Sequence, residues 1–155
     1  MNRYNLAEPA FAYDETDPEG YRSAADRIGP KVGGSKLGMS HYLIPPGQSI
    51  CPYHYEYGEE EWLMVLQGAP TLRHPDGEDE LREGDVVAFV EGPAGAHKVT
   101  NNGDGDVRVL MLSNIVDIGA VVYPDSDKVM INPPDRRDHL LVERKSNVDY
   151  WVGER

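Results

Sequence analysis

A single all-β domain of jelly-roll type, set between an irregular N-terminal arm and a charged C-terminal tail, is what three features of this sequence predict. From Lys36 onward, short apolar runs recur between clusters of turn-forming residues, at intervals that suit a sandwich or barrel. Apolar and polar side chains alternate inside several of those runs, which is the two-residue period of a half-buried strand. No stretch in the middle of the chain sustains a helical period, and no internal repeat divides it. At 155 residues the chain is one domain, large enough to bury a core without disulfides.

Residues 1–35 form the arm, where Pro9, Pro18, Pro30 and several glycines interrupt acidic residues; one short helical turn is expected around residues 21–27. Phe11, Tyr13 and Tyr21 give it an apolar side, with which it either packs on the domain or a partner subunit, or covers the mouth as a lid. The domain proper covers residues 36–131. Residues 36–44 read as a strand ended by Pro45, Pro46 and Gly47, and residues 49–56 and 61–67 as a hairpin joined by residues 57–60. Residues 70–74 are closed by Pro75, Asp76 and Gly77, and residues 85–90 follow the turn at Glu83 and Gly84. Residues 97–101 lead through Asn102, Gly103, Asp104 and Gly105 into residues 106–114, rich in Val and Leu and expected to be central. Residues 121–123 and 128–131 flank the turn that begins at Pro124. About eight such antiparallel strands fit a jelly roll, which also protects most sheet edges. Residues 132–155 form the tail, whose Tyr150 and Trp151 are costly to leave in water; it is expected to dock on its own domain or on a partner subunit.

Four residues in this pattern carry the chemistry. His54 and Glu56 are separated by one residue, so the strand period sends both to one face and turns Tyr53 and Tyr55 the other way. In the expected hairpin Glu56 and Glu61 flank the loop, opposite each other on that same face. Two carboxylates so placed repel, and one takes up a proton unless a cation or strong donors lie between them. A divalent metal held by His54, Glu56 and Glu61, with His97 as fourth ligand from another strand, satisfies all four groups. By the same alternation Cys51 shares the face of Tyr53, away from His54, and is not expected to be a ligand.

These residues resemble the two motifs of the cupin superfamily. The first motif, G-x5-H-x-H-x3,4-E-x6-G, is matched by Gly47, His54, Glu61 and Gly68, with six residues between Gly47 and His54 and with Glu56 in the place of the second His. The second, G-x5-P-x-G-x2-H-x3-N, is matched by Gly84, Pro93, Gly95, His97 and Asn101, with one residue before the His and a longer gap before the Pro. The resemblance implies a small jelly-roll cupin barrel with a mononuclear metal site inside it, one divalent ion such as Fe, Mn, Zn or Ni, and a homodimer built on edge strands. Glu56 changes that site. Two neutral imidazoles and two carboxylates cancel the charge of a divalent ion, which lowers the acidity of bound water and weakens the pull on an anionic substrate. Harder oxygen ligation also moves preference towards manganese, iron(II) or magnesium. His54, Glu56 and His97 alone resemble the two-His, one-carboxylate triad of non-haem iron oxygenases.

The function implied is that of an enzyme acting on a small organic molecule, of dioxygenase, isomerase or lyase type. The same pocket without turnover would make a binding or sensor module, and a degenerate site would leave a storage or scaffold role. Without a metal, Glu56 and Glu61 would form a coupled acid–base pair. Composition excludes other classes: 27 acidic against 15 basic residues give a net charge of -12, which repels nucleic acid and anionic membrane surfaces. No apolar run approaches the roughly 20 residues of a membrane span, and no apolar segment follows Met1-Asn2-Arg3-Tyr4 as in a signal peptide. The lone Cys51 cannot form an internal disulfide, which suits a reducing, cytoplasmic compartment.

Remaining candidates have plainer readings. Glu60, His74 in its turn and His139 in the tail are expected at the surface. His41 competes with Tyr42 for the inward face of its strand. Arg73 and Arg108 either line the barrel and orient an anionic substrate or sit on its outer face. Tyr53, Tyr55 and Tyr57 form a stripe expected to pack against another sheet or subunit.

Overall fold

The computed structural model describes residues 1–154, the side chain of Arg136 excepted. Its elements in chain order are β1 (Ala12–Tyr13), β2 (Ala24–Arg27), α1 (Ile28–Val32), β3 (Leu37–Ile44), β4 (Tyr55–Tyr57), β5 (Glu61–Gln67), β6 (Thr71–His74), β7 (Gly77–Glu80), β8 (Val86–Phe89), β9 (Lys98–Thr100), β10 (Val107–Asn114), β11 (Gly119–Tyr123), β12 (Lys128–Asn132) and β13 (Leu140–Glu143). They form a six-stranded sheet in the order β1-β2-β3-β10-β5-β8, a four-stranded sheet β13-β12-β11-β4 and a three-stranded sheet β7-β6-β9. Every pairing is antiparallel. This is the expected all-β, jelly-roll type of fold.

Alternation along β5 sets the inner face of the large sheet. Leu63 and Val65 are 0% and 1% exposed, while Trp62 and Met64 between them face out. Across the ladder Leu63 stands opposite Met111 and Met111 opposite Ser40, and Val65 opposite Val109 and Val109 opposite Tyr42. These rows meet Leu72 of β6 and Val99 of β9, so the core lies between the six-stranded and three-stranded sheets, with Ile44, Phe89 and Val107 filling it.

The arm is more ordered than its composition suggests. The helical turn expected over residues 21–27 lies at Ile28–Val32 instead, and Ala24–Arg27 is a strand that pairs with β3. A buried carboxylate anchors it. Asp26 accepts hydrogen bonds from the Tyr4 hydroxyl and the Ala10 amide, each at 2.7 Å, and pairs with Lys31. Burial alone would raise this carboxyl, but the Lys31, Tyr4 and Ala10 donors hold it down at about 2.

The expected hairpin of residues 49–67 is not formed. β4 pairs with β11, whereas β5 pairs with β10 and β8, so the chain changes sheets at Gly58–Glu60. Glu56 stands opposite Val121, not Glu61. The crossing is pinned from a distant strand: the Asn114 side chain accepts from the Glu60 amide at 2.7 Å and donates to the Gly58 carbonyl at 2.9 Å. In the tail, β13 folds back on β12, but Tyr150 and Trp151 remain 81% and 57% exposed, packed edge to face on each other rather than docked on the domain.

Candidate metal centre

Backbone pairing brings the two histidines together. His54 and His97 form an isolated antiparallel bridge with reciprocal hydrogen bonds, His54 N to His97 O at 3.1 Å and His97 N to His54 O at 2.8 Å. Their rings lie 4.5 Å apart. The turn before His97 depends on Gly95, where an added Cβ would lie 1.8 Å from the Val90 carbonyl oxygen. Phe89 stacks on the His97 ring at 3.7 Å, which fixes its plane. Glu61, the first residue of β5, reaches the pair from the large sheet: its Oε2 is 3.3 Å from His97 Nε2 and 3.9 Å from His54 Nε2.

The donor set fits a cation. His54 Nδ1 is 2.9 Å from the Pro52 carbonyl and His97 Nδ1 is 3.0 Å from that of Gly95. A carbonyl only accepts, so each Nδ1 carries a proton and donates it, which leaves Nε2 of each ring as the nitrogen that can face a cation. Burial first, and then the neighbouring His97, hold the His54 pKa below its ordinary value, so this ring stays neutral. His97 Nε2 is buried without a hydrogen-bond partner. Two ring nitrogens and a carboxylate oxygen thus converge, one of the nitrogens without a hydrogen-bond partner, which is a donor set that a cation would satisfy. Ligands at about 2.1 Å from one ion stand roughly 3.0–3.5 Å apart; the 3.3 Å from Glu61 Oε2 to His97 Nε2 falls in that range and the 3.9 Å to His54 Nε2 lies above it. The candidate ligand atoms of His54, Glu61 and His97 all lie within 4.8 Å of one another, and these three residues are the ones that could hold the ion.

Glu56 is not one of those three. It is half-buried, with its Oε2 out of solvent and unpartnered. Burial, and then the charges of Glu61 and Glu59, push its carboxyl up to about 8. The two-His, one-carboxylate set expected with Glu56 is therefore assembled with Glu61. Cys51 corrects the alternation argument, since its Sγ lies 3.5 Å from His54 Nδ1. Bridges at Ser49–Thr100 and His54–His97 leave five steps on one strand against three on the other, so a bulge containing Cys51 and Pro52 breaks the count. Burial raises the Cys51 thiol. With Tyr42, Ile50, Val99 and Met111, Cys51 encloses a cavity of about 210 Å³ beside the three ligand candidates.

Other candidates lie elsewhere. His41 is fully buried, accepting from Arg108 Nε at 3.2 Å, and Arg108 also donates to the Leu6 carbonyl, so both hold the arm rather than a substrate. Tyr42 takes the inward place for which His41 competed. Arg73 forms a two-pronged pair with Asp125 and covers the Tyr53 ring. His74 pairs with Asp79 at 3.2 Å, and His139 is exposed. Tyr55 and Tyr57 pack edge to face on each other.

Comparisons with known proteins agree with the fold. Residues 40–113 match the model of the cupin domain. A proposed sugar phosphate isomerase of Acidithiobacillus ferrooxidans is 25% identical, with a TM-score of 0.80 over 92% of this chain and 88% of that one. A sugar phosphate isomerase of the cupin superfamily from Silicibacter pomeroyi superimposes with a TM-score of 0.81 at 21% identity, over 94% of both chains. A predicted oxalate decarboxylase of Thermotoga maritima shares the fold at a TM-score of 0.60 and 18% identity, over 75% of this chain and 99% of that one. Comparison with curated proteins finds no match. Residues 40–113 thus form a cupin domain.

Proposed function

We propose that this cupin is a divalent-metal enzyme that isomerises a small hydroxy-carbonyl compound, a sugar phosphate being the class its relatives suggest. The observation that carries the reading is the convergence of the Nε2 atoms of His54 and His97 with the Glu61 carboxylate at one edge of a cavity. Likeness to the Acidithiobacillus protein over nearly the whole of both chains supports the reaction class. In the proposal His54, Glu61 and His97 hold the ion, and Glu56, half-buried with its Oε2 unpartnered, is the acid–base residue rather than a fourth ligand. A bound divalent ion supplies polarisation of a substrate oxygen. Glu56, as the carboxylate, removes the proton from the hydroxyl-bearing carbon beside the carbonyl; the electron pair of that C–H bond forms the C=C of an enediol as the C=O pair moves to its oxygen, which takes a proton. Glu56 then returns its proton to the former carbonyl carbon with the C=C pair, while the neighbouring hydroxyl loses its proton and its O–H pair forms the new C=O, so that one proton has moved between the carbons and one between the oxygens.

The test is solvent exchange. Metal-loaded protein is incubated in D2O with three- to six-carbon aldose and ketose monophosphates, and deuterium at the carbon beside the carbonyl is followed by NMR. Exchange by the wild type and its loss in Glu56→Gln at unchanged metal content is the expected result. No exchange with any member of the panel, or full exchange by the variant, contradicts the reading.

A further inference from the structure

The metal cavity is only the inner of two adjoining hollows. A groove of about 680 Å³ runs along the N-terminal arm and shares Tyr42 and Ile50 with the cavity that holds His54, Glu61 and His97. Its walls are chemically unequal. On the arm side stand the carboxylates of Asp14, Glu15 and Asp17; on the sheet side stands Arg27. Lys31 and Asp26 also line it, but they neutralise each other. Arg27 is exposed and forms no ion pair among the described residues.

Register aims Arg27 at the site. Arg27 is opposite Ser40, and Ser40 opposite Met111, so all three project from the same face of the large sheet. Met111 lines the metal cavity, and so does Tyr42, two residues from Ser40 on that face. Two strand spacings separate the Arg27 backbone from that of Met111, about 10 Å. A small phosphorylated sugar covers such a span, with its reacting carbons at the metal centre and its phosphate at the guanidinium. The acidic wall enforces that orientation. It repels an anion from every other part of the groove, while its carboxylates accept hydrogen bonds from hydroxyls.

We propose that this groove is the outer half of the substrate site and that Arg27 is its specificity residue, binding the phosphate of a phosphorylated substrate whose other end lies at the metal centre. The proposal rests on the reading of that centre given above, but its test does not depend on turnover. Calorimetry measures binding of three- to six-carbon sugar monophosphates and of the matched unphosphorylated sugars to metal-loaded wild type, Arg27→Ala and Arg27→Lys, with metal content measured alongside. Charge-assisted hydrogen bonds of this kind correspond to a ten- to hundredfold preference for the phosphorylated partner, roughly. The expected result is that Arg27→Ala loses this preference at unchanged metal content, that Arg27→Lys recovers part of it, and that the weak binding of unphosphorylated sugars is unaffected. Wild type that does not prefer the phosphorylated sugars, or Arg27→Ala that retains the preference, overturns the proposal. A retained preference in wild type with no isomerisation removes the isomerase reading and leaves Arg27 as the phosphate-binding residue.

Discussion

Replacing Asp26 by Ala should release the N-terminal arm, and the structure sets the size of the effect. The carboxylate is buried and satisfies three donors: the Tyr4 hydroxyl, the Ala10 amide and Lys31. Removing it leaves the hydroxyl and the amide without an acceptor and the ammonium without a partner. Each hydrogen bond to a charged group contributes about 1.5–3 kcal/mol, and breaking a buried pair from one side costs about 3–5 kcal/mol. Lys31 and Tyr4 regain water as the arm loosens, so a net loss of about 3–5 kcal/mol is expected rather than the sum of the parts. For a chain of this size that lowers Tm by roughly 6–20 °C. The assay is urea unfolding at pH 7, with hydrogen exchange at the Ala10 amide as local readout. The pH dependence follows from the depressed Asp26 pKa. A carboxyl held at about 2 in the fold, against 3.8 in the unfolded chain, gives stability that is complete above pH 3.8 and lost as pH falls towards 2. Asp26→Asn should lack that acid-side component. A loss below about 1 kcal/mol in Asp26→Ala, with unchanged exchange at Ala10, would refute the anchoring argument.

Three further outcomes follow from the same coordinates. Gly95→Ala places a Cβ against the Val90 carbonyl, so the turn carrying His97 must move; metal retention should fall even under conditions where circular dichroism shows the fold intact. Leu63→Ala empties a fully buried position at the centre of the core and should cost about 2–5 kcal/mol in urea unfolding, with metal stoichiometry unchanged in the folded protein. Trp151→Ala removes an exposed side chain that packs edge to face on Tyr150, and its unfolding free energy should stay within about 0.5 kcal/mol of wild type.

The strands written as apolar runs between turn residues were the legible ones. The apolar run from Trp62 to Leu66 marked β5 as a strand though not its faces, and β3, β10, β11 and β12 follow with bounds shifted by a residue or two. That His54 and His97 share one site was legible from the resemblance of the residues around each to the two cupin motifs, not from local pattern. What defeated local reading was decided at a distance or by a break in period. The change of sheet at Gly58–Glu60 is held by Asn114, more than fifty residues away, so a short loop between two strands looked like a hairpin. Cys51 turned inward because the bulge at Pro52 shifted the parity by which its face was assigned. β7 is Gly-Glu-Asp-Glu, exposed at all four positions, and has no apolar period to read; only the turn to β6 makes it a strand. β2 hid among prolines and acidic residues because its Asp26 is buried with partners from three other segments.

The central claim is that His54, Glu61 and His97 close on one divalent ion. Titration calorimetry of chelator-stripped protein with manganese(II) and zinc(II), on wild type and His97→Ala, tests it most directly. One ion per wild-type chain is predicted, together with a loss of affinity in the variant larger than the ~10–100-fold that follows from removing an outer-shell partner. Wild type that takes up no ion, or His97→Ala that binds as tightly as wild type, would contradict it.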